Sequence, residues 1–583
     1  MSRSTPSTSG HPTTCRSRCR PSTATSCSAS CNRLHPGGIL PSRLLPGTWM
    51  ALPQGRRSPP LTDRRPPMPA RLNRRRLLQL MGAGAASAAL PNVLAQAHAG
   101  ADRPVAPVGK DAPNILFIMT DDQARGALSI YGNDVLKTPN MDRVGSEGLR
   151  FDEAFVTTSV CAPSRASFLT GLYAHTHGVT SNGEEPGWYE QMGLRHDQIT
   201  YPMLLQKAGY HTAMVGKWHI KSMPTGFDHW AILRGQGSYF DPQFIVNGAP
   251  VRFRGHTDDV IGDQALHYLQ QRPKDQPFCL CYQFKAPHGP WEPDPRFYDA
   301  FKDVEVPLPP GFGEPQPGDA PIAYSKTTQE IAHMGDFFRD NERRKAQVDK
   351  ELPDEERLHE VFQAYIRNYY RVLLGVDENV GRVLDFLDAQ GLTENTIVVY
   401  TSDNGMFLGE HGFYDKRLML EPSIRVPMLM RWPGRIPAGT ADDAHMVLNI
   451  DVAPTLLDLA GVEVPDWMQG RSWKPLLEGG EADWREDFLY EWYEYPAVHC
   501  ARKHRGVRTG RWKLIHFWEQ PAEWALYDLQ HDPMERDNLY GDPAHAATVE
   551  RLKSRITELR AGIGDVDPPG YVAPPLEPGK CPA

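Results

Sequence analysis

Residues Asn114–Thr120 (NILFIMT) form an unbroken apolar run with polar residues on either side, the pattern of a strand buried on both faces of a parallel sheet. Similar runs occur at Thr212–Gly216, Phe278–Phe284, Thr396–Ser402 and Val426–Arg431. Stretches of helical period lie between them, the longest over Leu358–Gln390 with Gly391 as its stop. Strands alternating with helices predict an α/β fold, a large and mostly parallel sheet sandwiched by helices. Ligands in such sheets gather at the carboxyl ends of the strands. From about Asp483 the pattern changes: Phe488–Trp492 reads as a strand, Gly506–Phe517 as two strands turning at Thr509-Gly510, and Ala525–Leu529 as another. A helix near Ala546–Ala561 closes this smaller antiparallel sheet. The Pro-rich loop Pro307–Pro321 and the charged stretch Thr327–Glu356 read as surface insertions, and there is no internal repeat.

The front of the chain lacks these patterns. Residues 1–67 are rich in Ser, Thr, Pro and Arg and read as a disordered or mis-assigned extension. Cys15, Cys19, Cys27 and Cys31 superficially match a zinc knuckle, but no helix or strand pattern surrounds them and no His pair follows. Met68 offers a start. After it come Asn73-Arg74-Arg75-Arg76, an Ala/Gly-rich apolar run to about Leu90, and the small-residue site Ala97-His98-Ala99. Residues 68–99 thus read as an export signal of twin-arginine type, which predicts a periplasmic or secreted protein beginning near Gly100. The apolar run is short and broken by Gln79, Pro91 and Asn92, so no stable membrane anchor is expected. Beyond the signal the chain divides into an α/β part, 100–482, and a C-terminal α+β part, 483–583.

Charge sharpens the picture. The chain of 583 residues has a net charge of −8, yet residues 1–99 hold 14 Arg against one acid. The remaining body is strongly acidic, which argues against a nucleic-acid partner. An anionic substrate would need a local basic pocket. Beyond the signal, Cys161, Cys279, Cys281, Cys500 and Cys581 are too few and odd in number for a disulfide framework. Cys279 and Cys281 alternate along an apolar run, as two residues of one buried strand face do.

Two strand tips carry hard oxygen ligands: Asp121-Asp122 after the first run, and Asp403-Asn404-Gly405 after Thr396–Ser402. Either could be a turn or helix cap; both at carboxyl ends suit Ca²⁺ or Mg²⁺. In Cys161-Ala162-Pro163-Ser164-Arg165, Pro163 suits a first helical turn and Gly171 its stop. Cys161 would then lie at a helix N-terminus, facing an anion or simply buried.

These segments resemble the type I sulfatases of the alkaline-phosphatase-like superfamily. C-x-P-S-R followed by Thr170-Gly171 is similar to that family's modification signature, in which the Cys becomes formylglycine. The resemblance runs from about Pro113 to Leu539. It takes in Gly216-Lys217-Trp218-His219, Ala286-Pro287-His288, Ser402-Asp403-Asn404-Gly405, Gly409-Glu410-His411-Gly412, Asp415-Lys416, Tyr527-Asp528-Leu529 and Asp532-Pro533.

The resemblance implies that Asp121, Asp122, Asp403 and Asn404 hold one divalent cation, Ca²⁺ with Mg²⁺ as the alternative, and that modified Cys161 also faces it. Arg165, Lys217, His219, His288 and Lys416 match sulfate-binding and catalytic positions. The implied reaction begins with attack on sulfur by one hydroxyl of hydrated formylglycine. His288, with Lys416 nearby, protonates the departing oxygen; His219 then deprotonates the second hydroxyl and sulfate leaves. A formylglycine-generating maturase is implied as a partner. It acts on the unfolded chain, so a twin-arginine route places modification before export.

Tyr282–Trp291 (YQFKAPHGPW) and Glu494–Phe517, with Tyr495-Pro496, are similar to glycan sulfatases, especially N-acetylglucosamine-6-sulfatases. The expected substrate is therefore a sulfated sugar or oligosaccharide. His499, His504 and Arg505 are candidate specificity residues, and Trp291, Trp492 and Trp518 candidate rim residues. The competing functions are a phosphonate or phosphate ester hydrolase of the same superfamily and a non-catalytic binder of sulfated glycans.

Overall fold

A computed structural model describes residues 105–109, 111–183, 193–314, 317, 320–325, 330–332, 334, 348–349, 351–479, 483–495, 498–567 and 571–576. The extension, the export signal with its processing site, the four N-terminal cysteines, Pro496 and Cys581 lie outside the described residues.

Fourteen strands build the larger part, ten of them in one sheet. In chain order they are β1 (Asn114–Asp121), β2 (Leu149–Phe151), β3 (Ala154–Phe155), β4 (His211–Gly216), β5 (His229–Leu233), β6 (Gln243–Val246) and β7 (Ala249–Arg252). They continue with β8 (Phe278–Pro287), β9 (Thr396–Ser402), β10 (Phe407–Leu408), β11 (Tyr414–Asp415), β12 (Met428–Arg431), β13 (Thr440–Asp442) and β14 (Val447–Leu448). The sheet order is β13-β2-β12-β9-β1-β8-β4-β5-β6-β7. The central strands β9, β1, β8, β4 and β5 are mutually parallel. Both flanks turn antiparallel, at β12 against β9 and β2 and at β6 against β5 and β7. The run at Val426–Arg431 therefore joins the sheet against the expected direction. Continuous apolar character reports burial on both faces, not strand polarity.

Alternation along β1 explains why that strand is apolar throughout. Leu116 and Ile118 enter one core with the long helix Asp354–Ala389, while Ile115, Phe117 and Met119 enter a second core with the helix Cys161–Thr170. Helices thus cover both faces. The supposed surface insertions are partly interior: Val306, beside the Pro-rich loop, and Ile331, Met334 and Val348 of the charged stretch pack into the first core.

Strands β15 (Asp487–Trp492), β16 (His504–Thr509), β17 (Trp512–Phe517) and β18 (Glu523–Asp528) form the small antiparallel sheet, closed by the helix Ala546–Gly562. Its apolar face shares a third core with Phe155, Val160, Phe407, Leu418, Met419 and Ile424, so it packs directly onto segments that flank the strand tips. Cys161, Cys279 and Cys281 are free and buried, whereas Cys500 is disulfide-bonded, a cross-link that the cysteine count did not anticipate. Among the described residues no helix is long and apolar enough to cross a membrane.

Candidate active site

Parallel pairing of β1 with β9 sets Thr120 opposite Ser402, so the two acidic tips emerge side by side. Asp403 N donates to Thr120 O (3.1 Å) and Asp122 N to Asp403 Oδ1 (3.1 Å), which locks one tip to the other. Asp121, Asp122 and Asp403 are buried, with one carboxylate oxygen of each within 4.8 Å of the others. Asp121 Oδ1 and Asn404 Oδ1 are buried without a hydrogen-bond partner. Orphaned hard oxygens among converging carboxylates fit a divalent cation. The electrostatics agree. Burial pushes the Asp403 carboxyl up to about 8, with the neighbouring Asp121 charge adding to the push and Arg165 opposing it. Burial also works to raise Asp121, but Lys217, His288 and Arg165 outweigh it and hold this carboxyl well below its ordinary value.

Cys161 opens its helix, which Gly171 ends at φ 69°. Its Sγ lies 4.0 Å from Asp122 Oδ1 and 3.9 Å from Lys217 Nζ. Burial raises this thiol well above its ordinary value despite Lys217 and Lys416, so the unmodified side chain is a protonated, inert group. One turn later Arg165 forks under the carboxylates. Its Nε donates to Asp403 Oδ2 (2.8 Å), Nη2 lies 3.4 Å from Asp121 Oδ1, and Nη1 donates to Lys217 O (2.6 Å) and Gln283 Oε1 (2.7 Å).

Lys217 is fully buried and pairs with Asp121. Gly216, at φ 108°, lets it follow β4 at close range to β8, because a Cβ there would overlap the Gln283 carbonyl oxygen. His219 is buried with Nδ1 unpartnered, and burial next to Lys217 holds its pKa well below the usual imidazole value. Burial and Lys217 likewise bring His288 down to about 3. Its Nδ1 donates to Gly289 O (2.8 Å), while Nε2 lies 3.7 Å from Asp122 Oδ2. Lys416 Nζ donates to Asp122 Oδ2 (2.5 Å) and lies 3.2 Å from Asp415 Oδ1. Burial opposes its charge, yet Asp122 and Asp415 prevail and keep it an ammonium.

The expected metal and catalytic residues thus meet in one cluster. The expected specificity residues do not all join it. His499 Nε2 lies 2.8 Å from Asp415 Oδ2, a carboxylate that also holds Lys416 and Arg417 (2.5 Å to Nη1). His504 is instead wholly buried: Nδ1 donates to Arg502 O (2.7 Å) and Nε2 accepts from Met419 N (3.1 Å). With both nitrogens spent inside the small sheet, it has none to offer a substrate. Arg505 lies over the Trp518 ring (5.0 Å) and 3.4 Å from Asp567 Oδ2. The proposed rim tryptophans are also interior, Trp291 against Tyr365 and Trp492 bonded to Glu494 O and Ala501 O, while Trp518 is 7% exposed. Aromatic count on its own could not separate core from rim.

Sequence reasoning missed Gln283, Asp415, Arg417 and Asn182. Gln283 and Asp415 stood inside segments already singled out. Asn182, whose Oδ1 accepts from Ala162 N (3.0 Å) beside Cys161, carries no sequence signal.

Comparison with known proteins bears on this geometry. The family model described as Sulfatase matches residues 113–462, and the one described as N-sulphoglucosamine sulphohydrolase, C-terminal, matches 409–562. An N-acetylglucosamine-6-O-sulfatase of Bacteroides thetaiotaomicron is 40% identical over 497 residues, covering 78% of this chain and 88% of that protein. The N-acetylglucosamine-6-sulfatase of Homo sapiens is 29% identical over 407 residues, covering 66% and 68%. A solved structure described as a complex with its substrate, D-glucosamine-2-N,6-O-disulfate, superposes with a TM-score of 0.73 at 39% identity, covering 79% of this chain and all of that one.

Proposed function

The chain belongs to the sulfatase family of sulfuric ester hydrolases, and from that premise we propose that it removes the 6-sulfate from an N-acetylglucosamine-6-sulfate-like sugar or glycan. The observation that carries this reading is the meeting at the strand tips of three buried carboxylates, Asn404, Cys161, Arg165, two lysines and His219 with the half-buried His288. The 40% identical relative supports the choice of sugar.

Asp121, Asp122, Asp403 and Asn404 would hold a divalent cation, Ca²⁺ by the family resemblance with Mg²⁺ as the alternative, and that ion would neutralise charge on the sulfuryl oxygens. Conversion of Cys161 to formylglycine would supply a hydrated aldehyde, one hydroxyl to attack sulfur and a second whose deprotonation releases sulfate. The surrounding residues do the rest. Lys217 and Lys416, both buried beside carboxylates, bind the anionic ester. Arg165 fixes Asp121 and Asp403. Neutral His219 is the acceptor for the second hydroxyl's proton. Lys416 and His288, the latter through Nε2, serve the departing alcohol oxygen. His499, oriented by Asp415, is the remaining specificity candidate toward the sugar.

Export through the twin-arginine-like signal, after modification by a maturase, completes the proposal. Mass spectrometry of the natively exported protein tests it first. The Cys161 peptide is expected about 18 Da below unmodified Cys, from an aldehyde in place of the thiol. N-acetylglucosamine-6-sulfate should then be desulfated in preference to other sulfated sugars and to phosphonate esters in direct competition. An unmodified thiol in protein from its own host would overturn the formylglycine route and leave glycan binding; preference for phosphoryl esters would overturn the substrate.

A further inference from the structure

Two buried polar residues outside the catalytic set reach the His288 loop. Lys285 is 1% exposed; its Nζ donates to Gly289 O (3.1 Å) and lies 4.8 Å over the Tyr239 ring. Tyr239, wholly buried, donates its hydroxyl to His288 O (2.6 Å). The Gly289 carbonyl that Lys285 holds is the same one that receives His288 Nδ1 at 2.8 Å. A carbonyl only accepts, so this bond puts the ring proton on Nδ1 and leaves Nε2 facing the cluster.

The pair is itself braced. His256 stacks on Tyr239 (5.5 Å between ring centroids, 29°), and its Nε2 is anchored on Glu292 O (3.0 Å). Asp258, fully buried, lies 3.6 Å from His256 Nδ1 and supplies nearby negative charge to Lys285. A buried ammonium is costly to keep unless its contacts are used. Here they converge on the carbonyl and the peptide that orient one imidazole.

We propose that Lys285 and Tyr239 are positioning residues for His288, holding its tautomer and ring direction through the Gly289 and His288 carbonyls so that Nε2 points at the departing oxygen. This rests on the reading of His288 as a proton shuttle for the leaving alcohol: with its resting proton on Nδ1, it takes at Nε2 the proton that the attacking hydroxyl releases and passes it to the departing oxygen. A sugar alkoxide needs that help, whereas a nitrophenolate leaves without it.

The test compares N-acetylglucosamine-6-sulfate with 4-nitrophenyl sulfate on the full, modified enzyme. Lys285→Met is expected to lower kcat on the sugar sulfate on the order of 10–100-fold, the usual range for residues that orient a functional ligand, and on the aryl sulfate by no more than about threefold. Tyr239→Phe, which removes one hydroxyl and keeps the ring, should show the same selectivity, and it carries the test if Lys285→Met fails to fold. Ring-nitrogen NMR gives a readout free of substrate: the signal lost in His288→Ala should show the Nδ1–H tautomer in the wild type and a mixture in the positioning variants. Equal losses on both substrates, or an unchanged tautomer, overturn the proposal. His288→Ala separates the two levels. If it is selective while the positioning variants are not, His288 keeps its role and the proposal falls; if it hits both substrates equally, both fall.

Discussion

Arg165 shows how much one side chain does here. Its planar fork meets acceptors from three segments, Asp403 at 2.8 Å, Lys217 O at 2.6 Å and Gln283 at 2.7 Å, with Asp121 at 3.4 Å. Lysine offers a point charge and no fork, so Arg165→Lys keeps the charge and loses the alignment of the carboxylates. Calorimetric titration with Ca²⁺ is expected to show affinity lower on the order of 10–100-fold. Cys161 makes the complementary case. Burial holds its thiol protonated, and neither Ala nor Ser yields a geminal diol in a host that modifies only Cys. Cys161→Ala and Cys161→Ser should both lack turnover; near-normal turnover by purified Ser protein would reject the proposed chemistry.

At the scale of elements, the site depends on how closely β4 and β8 can approach. Gly216 has φ 108° and no room for a Cβ against the Gln283 carbonyl, so it fails as alanine on both conformation and space. Gly216→Ala is expected to cost about 2–4 kcal/mol in urea denaturation, and to impair Lys217 beyond that cost because the strand must shift. The long central strands were legible in the sequence because burial on two faces leaves no polar interruption, as in β1 and β9. The flanking strands were not: β7 exposes most of its residues, and β2 has three residues, too short for any period to show. The candidate metal ligands could be picked out for the same reason as their strands, since each pair directly follows an apolar run. The tie from His499 to Asp415 was hidden, because it joins residues 84 positions apart, both with left-handed backbone at φ 69° and 72°, where no pattern constrains spacing. His504 misled for a related reason. The strand expected from the sequence begins at Gly506, whereas β16 starts at His504, and which face that residue presents depends on the third core.

For the molecule as a whole, the small sheet and the loop after Asp403-Asn404 are joined by a buried charge cluster. Lys513 on β17 is fully buried, with Nζ 2.9 Å from Glu421 Oε1 and 2.5 Å from Glu535 Oε1. Glu421 N in turn donates to Glu535 Oε2 (2.6 Å). Two residues beyond Glu421, Ser423 O accepts from Gly405 N (2.9 Å), next to the candidate ligand Asn404. Two carboxylates therefore share one ammonium, and they divide the roles. Burial opposes ionisation at both, but Lys513, Arg508 and Arg425 hold Glu421 far below its ordinary value, while burial and the Glu421 charge push Glu535 up to about 7 against Lys513. The sign of the pH effect follows. A carboxyl whose folded pKa exceeds its unfolded value binds its proton more tightly when folded, so its contribution is complete below the unfolded value, 4.5, and is lost as pH rises through about 7. Glu535→Gln imitates the protonated form at every pH. Relative to the wild type, its unfolding midpoint should therefore rise between about pH 4.5 and pH 7 and level off above, the window that the shift defines. A difference that falls over the same window would mean that Glu535 is the ionised partner of Lys513, with Glu421 carrying the proton beside the Asn404 loop.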